Sequence, residues 1–304
     1  MARWEDYHLP TSIEEALRLL ARYEGRAQVI AGGTDLLLDL EQGEMPVPAA
    51  LVDVTRIPDL RQLHCSDDEV ILGAAVTHAE IAAAPFLRQR AACLAEACGV
   101  IGGPQVRHVA TIGGNVAHAL PAADGTIALL ALRAEAQVAT LSGEIVERHW
   151  RPLESLFLGP GRSAIDPTRE ILVAFRFRPT APGEGSAFQR LMRPQGIALP
   201  ILGVAVRVAL APEGDRYADV SIVLGPAGPI PFRAEDAERA LIGQASGNAA
   251  WSEAVQRAVQ AARLRTSRYR ASEAYRREML PVLLRRALEM ATRRARAERS
   301  RDVA

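Results

Sequence analysis

Two short segments of the sequence carry glycine pairs that could bind an anion. Residues 29–40 read VIAGGTDLLLDL, and residues 111–124 read TIGGNVAHALPAAD. In each, an apolar lead-in precedes two glycines and then a small polar residue, Thr34 or Asn115. Glycine tolerates positive φ and lets a ligand approach the backbone, while a helix start supplies N–H groups and a positive dipole end. One such loop suits one phosphate group, so two loops could hold a diphosphate between them.

The alternative for each glycine pair is a tight turn without a ligand, and for either pair alone that interpretation is the simpler one. Neither segment contains GxGxxG, so the sequence does not support a Rossmann dinucleotide site. Thr34 and Asn115 could add side-chain hydrogen bonds to a ligand, and Asp124 could accept one from a sugar hydroxyl. The residues alone therefore predict a site for a diphosphate-containing nucleotide.

The composition excludes several other kinds of chemistry. The 304 residues have a formal net charge of zero, so no global field favours nucleic acid or an anionic membrane as partner. All 36 basic residues are arginine. A Schiff-base lysine and the lysine of a GxxxxGK phosphate loop are therefore impossible.

The three cysteines do not indicate a disulfide framework or a metal site. Cys93 and Cys98 lie in an alanine-rich, helix-like run and are interpreted as buried small hydrophobes. Cys65 follows His64 without a second ligand pair at zinc spacing. Three thiolates cannot supply the four ligands of an iron–sulfur cluster. Because neither a signal peptide nor an apolar stretch of spanning length is apparent, the sequence predicts a cytoplasmic protein.

The elements around the first glycine pair alternate between strand and helix. TSIEEALRLLARYEG predicts an amphipathic helix that begins with a capping box of Ser12 and Glu15 and ends at Gly25. Apolar strands, AQVI and ALVDV, follow it on either side of the first glycine pair. This alternation favours an α/β unit. The scheme repeats from residue 69, with a strand, a capping box of Thr77 and Glu80, and one longer helix through about Cys98.

The remaining pattern divides the chain. A strong strand ends at Pro179, and TAPGEGS at 180–186 has the composition of a linker. Consecutive strands, mostly antiparallel by their spacing, and then helices follow, which predicts an α+β domain. The predicted divisions are a first domain at 1–179 with subdomains at about 1–57 and 58–179, a C-terminal domain at 186–290 and a basic tail at 291–304. The tail is interpreted as a solvated, frayed helix end, with a docking arm for an acidic partner as the alternative.

In this order the motifs resemble the FAD-binding (medium) subunit of molybdenum hydroxylases, the family of aerobic-type carbon monoxide dehydrogenase and xanthine dehydrogenase. Residues 31–37 match its AGGT/HxLL motif, and residues 111–124 match TIGGN followed by an A-S-P-x-x-D element. GGPQVRHVA before the second motif, LGPAGPIPFRAEDAERALIG and RASEAYRREMLPVLLRRAL also fit. The resemblance therefore covers nearly the whole chain.

This resemblance implies an α+β fold of the vanillyl-alcohol-oxidase (PCMH) type: two α+β subdomains with extended FAD between them, and a smaller C-terminal α+β domain. The loop positions it assigns to the cofactor are Ala31, Gly32, Gly33, Thr34, Asp35, Leu36, Thr111, Gly113, Gly114 and Asn115. It places Asp124 at the ribose or ribitol hydroxyls, and the flavin ring near Ile101, Leu172 and Arg190. For these last three, packing alone is an equal alternative. No catalytic side chain is implied, because the flavin carries the redox chemistry.

The sequence departs from the family pattern at two places. Leu120 stands where the family usually has Ser before Pro121, which removes one expected polar contact. MRPQGIA at 192–198 replaces the charged cluster that xanthine dehydrogenases carry where NAD approaches, so NAD is a less expected acceptor. The four-cysteine insertion of the hydroxybenzoyl-CoA reductase branch does not follow Asn115.

By resemblance, this chain transfers electrons through FAD from two [2Fe–2S] clusters on a small iron–sulfur subunit to an external acceptor. A large subunit carries molybdenum–pterin and selects the substrate, and the expected assembly holds two copies of each of three chains. One alternative is a self-contained FAD-dependent oxidoreductase, with His108 or His118 as acid or base. The other is an assembly protein that has lost FAD, which the intact glycines of both loops disfavour.

Overall fold

The computed structural model describes residues 4–193, 199–213 and 215–302. Within these residues the strands form sheets of three, five, four and two strands. Three packed units follow one another along the chain, and each has its own cluster of buried apolar side chains.

The first unit is a small parallel sheet with a helix packed on it. Its elements are β1 (Asp6–His8), α1 (Ile13–Arg22), β2 (Ala27–Ile30), α2 (Leu36–Gln42) and β3 (Ala50–Asp53). The strand order is β1–β3–β2, and both pairings are parallel. The predicted β–α–β alternation is therefore confirmed.

Helix α1 shows why this unit folds. The Ser12 hydroxyl accepts from the Glu15 amide at 3.1 Å, and the Glu15 carboxylate accepts from the Thr11 amide at 2.8 Å. The predicted capping box is thus half formed, because its return bond goes to Thr11 instead of Ser12. Leu17 and Leu20 are both 1% exposed, and burying each side chain contributes about 1.5–3 kcal/mol.

The second unit is an antiparallel five-stranded sheet with helices against it. Its elements are β4 (Leu63–Cys65), β5 (Val70–Gly73), α3 (His78–Ala83), α4 (Pro85–Arg90), α5 (Ala92–Gly99), α6 (Pro104–Arg107), α7 (Ile112–Ala117), α8 (Asp124–Ala131), β6 (Glu135–Ser142), β7 (Ile145–Pro152), β8 (Phe157–Gly159), β9 (Arg162–Ser163) and β10 (Glu170–Phe177). The strand order is β4–β5–β10–β6–β7, with every pairing antiparallel, and β8 pairs with β9. The expected order of strand, capping box and helix is present as β5 and α3, but the α/β scheme of the first unit does not repeat, because the strands of this sheet pair antiparallel.

The single helix expected from Thr77 to about Cys98 is also wrong, because three helices occupy this stretch. The Thr77–Glu80 capping box is confirmed in both of its hydrogen bonds. Pro85 begins α4, and Ala84 before it is extended, as steric conflict with a proline ring requires. Ala91, with φ of −150°, separates α4 from α5.

The third unit is an antiparallel sheet covered by helices. Its elements are β11 (Glu184–Met192), β12 (Pro200–Leu210), β13 (Tyr217–Gly225), β14 (Phe232–Arg233), α9 (Glu235–Leu241), α10 (Asn248–Ala261) and α11 (Glu273–Asp302). The strands pair in sequence order and antiparallel, as predicted. The predicted linker is tied to the second unit, since the Thr180 amide and hydroxyl donate to the Arg90 carbonyl at 2.7 and 2.9 Å.

The arginine-rich C-terminal segment is packed on this unit through Ala295. It continues α11, and Ala291, Thr292 and Ala295 are all buried. A Cβ added to Gly185 on β11 would lie 2.7 Å from the Ala295 amide nitrogen. Glycine at 185 therefore lets helix backbone rest on strand backbone, and the expectation of a solvated, frayed end does not hold for this stretch.

This contact predicts that Gly185→Ala destabilises the chain. The added methyl must move α11 away from β11, which should lower the free energy of unfolding by about 1–3 kcal/mol. Gly99→Ala is the matched control, because its added Cβ would meet only the Ala82 methyl at 3.9 Å. Urea denaturation of both variants measures the difference, and an equal effect of the two substitutions would contradict this account of α11.

Candidate functional site

The two glycine loops lie side by side. A Cβ added to Gly32 would lie 2.8 Å from the Val109 carbonyl carbon and 2.9 Å from the Ala110 Cα. The backbone of the first loop therefore rests on the segment that leads into the second. Beyond the loops, His118 Nδ1 at the end of α7 lies 3.9 Å from the Asp39 carboxylate of α2. The chain thus brings together two segments that are far apart in sequence.

The second loop is fixed to the five-stranded sheet. The Gly113 amide donates to the Ala74 carbonyl at 2.8 Å, and the Ile112 amide donates to the Val76 carbonyl at 3.0 Å. Thr111 caps α7, because its hydroxyl accepts from the Gly114 amide at 3.1 Å. These bonds hold the first turn of α7 in one position. The Asn115 amide donates to the Thr111 carbonyl at 3.0 Å, so the four first-turn amides of α7 all have acceptors within the chain.

The four glycines are required for different reasons. Gly32 and Gly113 are required because neighbouring backbone occupies the space of a side chain, with Ala74 O only 2.6 Å from a Cβ on Gly113. Gly33 has a φ of +67°, which favours glycine. Gly114 is exposed and has ordinary helical geometry, and its Cβ would meet only Thr111 Oγ1, at 3.3 Å. A structural role without a ligand therefore explains Gly32, Gly33 and Gly113. It does not explain Gly114, which lies beside open space.

The surroundings of the other predicted loop residues show what their side chains already do within the chain. Asn115 Oδ1 accepts from the Thr126 amide at 3.0 Å, so this side chain positions α8. Asp35 is the N-cap of α2 and makes no side-chain capping bond. Thr34 and Leu36, like Ala31, are half-buried. A role for the first turn of α2 in ligand binding therefore rests on backbone amides and stays a prediction.

Asp124 and Arg190 form a buried ion pair. Asp124 begins α8, is 3% exposed, and its Oδ2 lies 2.9 Å from Arg190 Nη1 on β11. Arg190 Nη1 also donates to the Val100 carbonyl. Asp124 Oδ1 is buried and has no hydrogen-bond partner among the described residues. Burial raises the pKa of Asp124 to about 7, although the charges of Arg190 and Arg270 oppose the shift.

The other two predicted flavin-ring positions differ in their surroundings. Ile101 is half-buried in a loop whose shape depends on Arg107, which donates to the Ile101 and Gly102 carbonyls at 3.0 and 2.8 Å. Leu172 is buried on β10 opposite Val138, within the core of the second unit. Packing alone explains the Leu172 side chain, and proximity of either residue to a flavin ring stays a prediction.

One residue beside the second loop was missed by sequence reasoning. His78 is 1% exposed, its amide donates to the Ala110 carbonyl at 3.1 Å, and its Nδ1 has no partner in the described part of the chain. Burial and the nearby charge of Arg107 lower its pKa to about 4, so the ring is neutral. The only sequence signal was the capping box next to it, which does not indicate where the ring points.

Cys93 and Cys98 are fully buried as predicted, and burial raises the pKa of the Cys93 thiol to about 12. In the described residues no group of three or more His, Cys, Asp or Glu side chains could hold a metal ion. Among these same residues, every helix is too short or too polar to cross a membrane.

A cavity of about 630 Å³ lies elsewhere, at the amino-terminal ends of β2 and β3, where Trp4, Arg26, Val47 and Thr168 are among its lining residues. The glycine loops lie at the other end of β2. Residues 194–198 of the segment MRPQGIA lie outside the described residues. The structure therefore does not test the expectation that NAD is a less favoured acceptor.

The sequence matches two known domain families in order. Residues 2–179 match the FAD binding domain in molybdopterin dehydrogenase, and residues 186–291 match the CO dehydrogenase flavoprotein C-terminal domain. The first match alone spans more than half of the chain. The chain belongs to this FAD-binding family.

Individual relatives agree with this assignment. This chain is 34% identical to subunit alpha of the 6-hydroxypseudooxynicotine dehydrogenase complex of Paenarthrobacter nicotinovorans. The match covers 96% of this chain and 95% of that subunit. It is 32% identical to the carbon monoxide dehydrogenase medium chain of Hydrogenophaga pseudoflava, over 84% of this chain and 85% of that one. A carbon monoxide dehydrogenase structure from Hydrogenophaga pseudoflava matches with a TM-score of 0.87 and 30% identity, covering 96% and 98% of the two chains. The predicted family and fold are confirmed.

The raised pKa of Asp124 predicts a pH dependence of stability. A group whose pKa rises from 3.8 to about 7 on folding stabilises the folded state fully below 3.8, and this contribution is lost as the pH rises through 7. Asp124→Asn cannot titrate. The unfolding free energy of the wild type relative to this variant should therefore fall between about pH 4 and 7, by at most about 1.4 kcal/mol per pH unit. Urea denaturation would show a constant difference if the carboxylate were ionised throughout.

Proposed function

We propose that this FAD-binding subunit holds the FAD diphosphate between its two glycine loops and transfers electrons from [2Fe–2S] clusters on a partner subunit to an external acceptor. The observation that carries the proposal is the Gly32 contact with Val109 and Ala110, which places the two loops together. When bound, FAD supplies the redox chemistry, since it exchanges electrons singly or in pairs.

Helix α2 begins directly after the first glycine loop, so its first backbone amides and positive dipole end can face an anion. In the first turn of α7 the amides of Ile112, Gly113, Gly114 and Asn115 already bond within the chain. This turn would therefore contribute its positive dipole end and close approach of the ligand at Gly114. The hydroxyl of Thr111 is committed to the Gly114 amide at 3.1 Å, so its role is to hold the α7 turn in shape. Open space at Gly114 lets the phosphate oxygens approach the backbone.

Asp124 fits a role as acceptor for a cofactor hydroxyl. Its Oδ1 is buried without a partner in the described chain, and an unsatisfied buried acceptor costs about 1–3 kcal/mol. A hydroxyl of the ribose or ribitol would satisfy it. Arg190, at 2.9 Å from Oδ2, would hold the carboxylate in orientation from the third unit.

Partner subunits are required for the electron transfer that we propose. The chain has three cysteines, and the two buried ones have no access to a cluster, so iron–sulfur ligands must come from another chain. The two relatives are named as a subunit of a dehydrogenase complex and as a medium chain. Leu38 and Val109, 50% and 52% exposed, offer apolar surface next to the loops. We therefore propose small iron–sulfur and large molybdenum–pterin partners in two copies each, with the large one selecting the substrate.

Gly114→Val tests the diphosphate clamp. A branched side chain there would project into the space left for the phosphates, while the surrounding chain leaves room for it except at Thr111. We expect FAD binding at least about tenfold weaker, with unchanged far-UV circular dichroism. Fluorescence titration of the flavin-free chain with FAD measures the affinity.

Gly99→Val is the control for adding a branched side chain to a helical glycine with room around it. It should retain FAD in a one-to-one ratio, and Gly114→Ala should fall between the two. Stoichiometric FAD in a folded Gly114→Val variant would show that the loops bind something else.

Purification from the native source under mild conditions tests the electron transfer. We expect the chain to co-purify with two others that carry iron–sulfur clusters and molybdenum, and FAD in the complex to be bleached by the substrate of the complex. The isolated FAD-loaded chain should not be reduced by that substrate. Turnover of a substrate by the isolated chain would instead identify a self-contained flavoenzyme.

A further inference from the structure

Arg276 is a cation buried at the start of α11. It is 1% exposed, and its Nε and Nη1 are buried and make no hydrogen bond to any described residue. A guanidinium keeps its charge in proteins. Because a buried, unpaired charge is strongly destabilising, such groups are normally paired with an anion. Two of the three guanidinium nitrogens of Arg276 thus lack a hydrogen-bond acceptor in the described part of the chain.

The charged neighbours that shift the pKa of Arg276 are themselves arginines. Burial lowers its pKa, and the charges of Arg270 and Arg265 lower it further. Burial also lowers the pKa of Arg270, as do Arg265 and Arg190, and only Asp124 raises it. That carboxylate already pairs with Arg190 at 2.9 Å. We call Arg265, Arg270 and Arg276 the arginine cluster.

The arginine cluster lies at the start of α11, beside the proposed cofactor residues. Arg276 is in the first turn of this helix, and its amide donates to the Ser272 carbonyl at 3.2 Å. Arg270 precedes the helix and donates to the Pro200 carbonyl at 3.3 Å, where β12 begins. Cations are unfavourable at the positive end of a helix dipole. Placing two arginines there is consistent with a site whose ligand is negatively charged.

We propose that the arginine cluster binds a single oxyanion group, a phosphate or a carboxylate, with Arg276 as its buried donor. Nε and Nη1 of Arg276 would make charge-assisted hydrogen bonds to it. Arg270 would add a second positive charge from the preceding loop. This site is separate from the glycine loops and goes beyond the proposed function. The group is either a separate small anion or, if one FAD phosphate lies here and not at the glycine loops, a phosphate of FAD.

Phosphate titration of the flavin-free chain tests the site. Binding to the folded state alone raises Tm, and at a phosphate concentration well above Kd we expect a rise of about 2–4 °C, relative to NaCl of equal ionic strength. Arg276→Met should abolish the rise. Without phosphate this variant should melt at or above the wild-type Tm, because it removes an unpaired buried charge.

Arg277→Met is the matched control on the same turn. Arg277 is exposed and pairs with the Glu273 carboxylate at 2.7 Å, so this variant should keep the full phosphate-dependent rise. Arg270→Gln changes a half-buried residue and should reduce the rise. It supplies the test if Arg276→Met does not fold.

Repeating the titration on the FAD-loaded chain distinguishes the two sources. If a phosphate of FAD occupies the site, added phosphate raises Tm only without flavin, and Arg276→Met weakens FAD binding. If a separate anion occupies it, the rise appears with and without FAD, and FAD binding is unchanged. The proposal is overturned if the flavin-free wild type shows no rise, or if Arg276→Met keeps it. Both outcomes are independent of whether the glycine loops bind FAD.

Discussion

The close approach of Gly32 to the backbone of Val109 and Ala110 is the constraint on which the site depends. No side chain fits there, since a Cβ would lie 2.8 Å from the Val109 carbonyl carbon. The first loop reaches this point because it follows β2 of the parallel sheet. The second loop is fixed to the antiparallel sheet by the hydrogen bond from the Gly113 amide to the Ala74 carbonyl. Two different sheet architectures are thus joined where their loops meet, and the relative position of two helix starts follows from that contact.

Charge is distributed unevenly although the chain is neutral overall. The first glycine loop offers backbone amides, and Arg276 at the start of α11 has two guanidinium nitrogens, Nε and Nη1, without partners in the described chain. The Asp124–Arg190 pair links α8 of the second unit to β11 of the third. Buried donors without acceptors destabilise a protein unless an anion completes them. The chain therefore carries a local surplus of positive groups that matches an anionic cofactor and a further anion.

The sequence was most informative where the signal was local. The glycine pairs, the Thr77 capping box and the antiparallel strands of the third unit follow from residue type and spacing. Pairing in the second sheet joins β5 to β10 across much of the chain, and no local pattern specifies such a partner. The burial of Arg276 likewise arises only when α11 packs on distant strands, and an arginine in an arginine-rich segment looks solvated. Binding of a ligand by Asn115 stays a prediction, and the bond that its side chain accepts from the Thr126 amide depends on how α8 returns to the loop, which no local pattern specifies.

Backbone hydrogen exchange with and without FAD tests the two-loop clamp most directly. If both loops hold one diphosphate, FAD should protect the amides of residues 33–36 and should also slow the opening of the bonded amides of residues 113–115, at the same FAD concentration. The amides at the amino-terminal end of β2, beside the unrelated cavity, should exchange unchanged. Protection of one loop without the other, or of neither, would contradict a shared ligand and return the paired glycines to the role of turns.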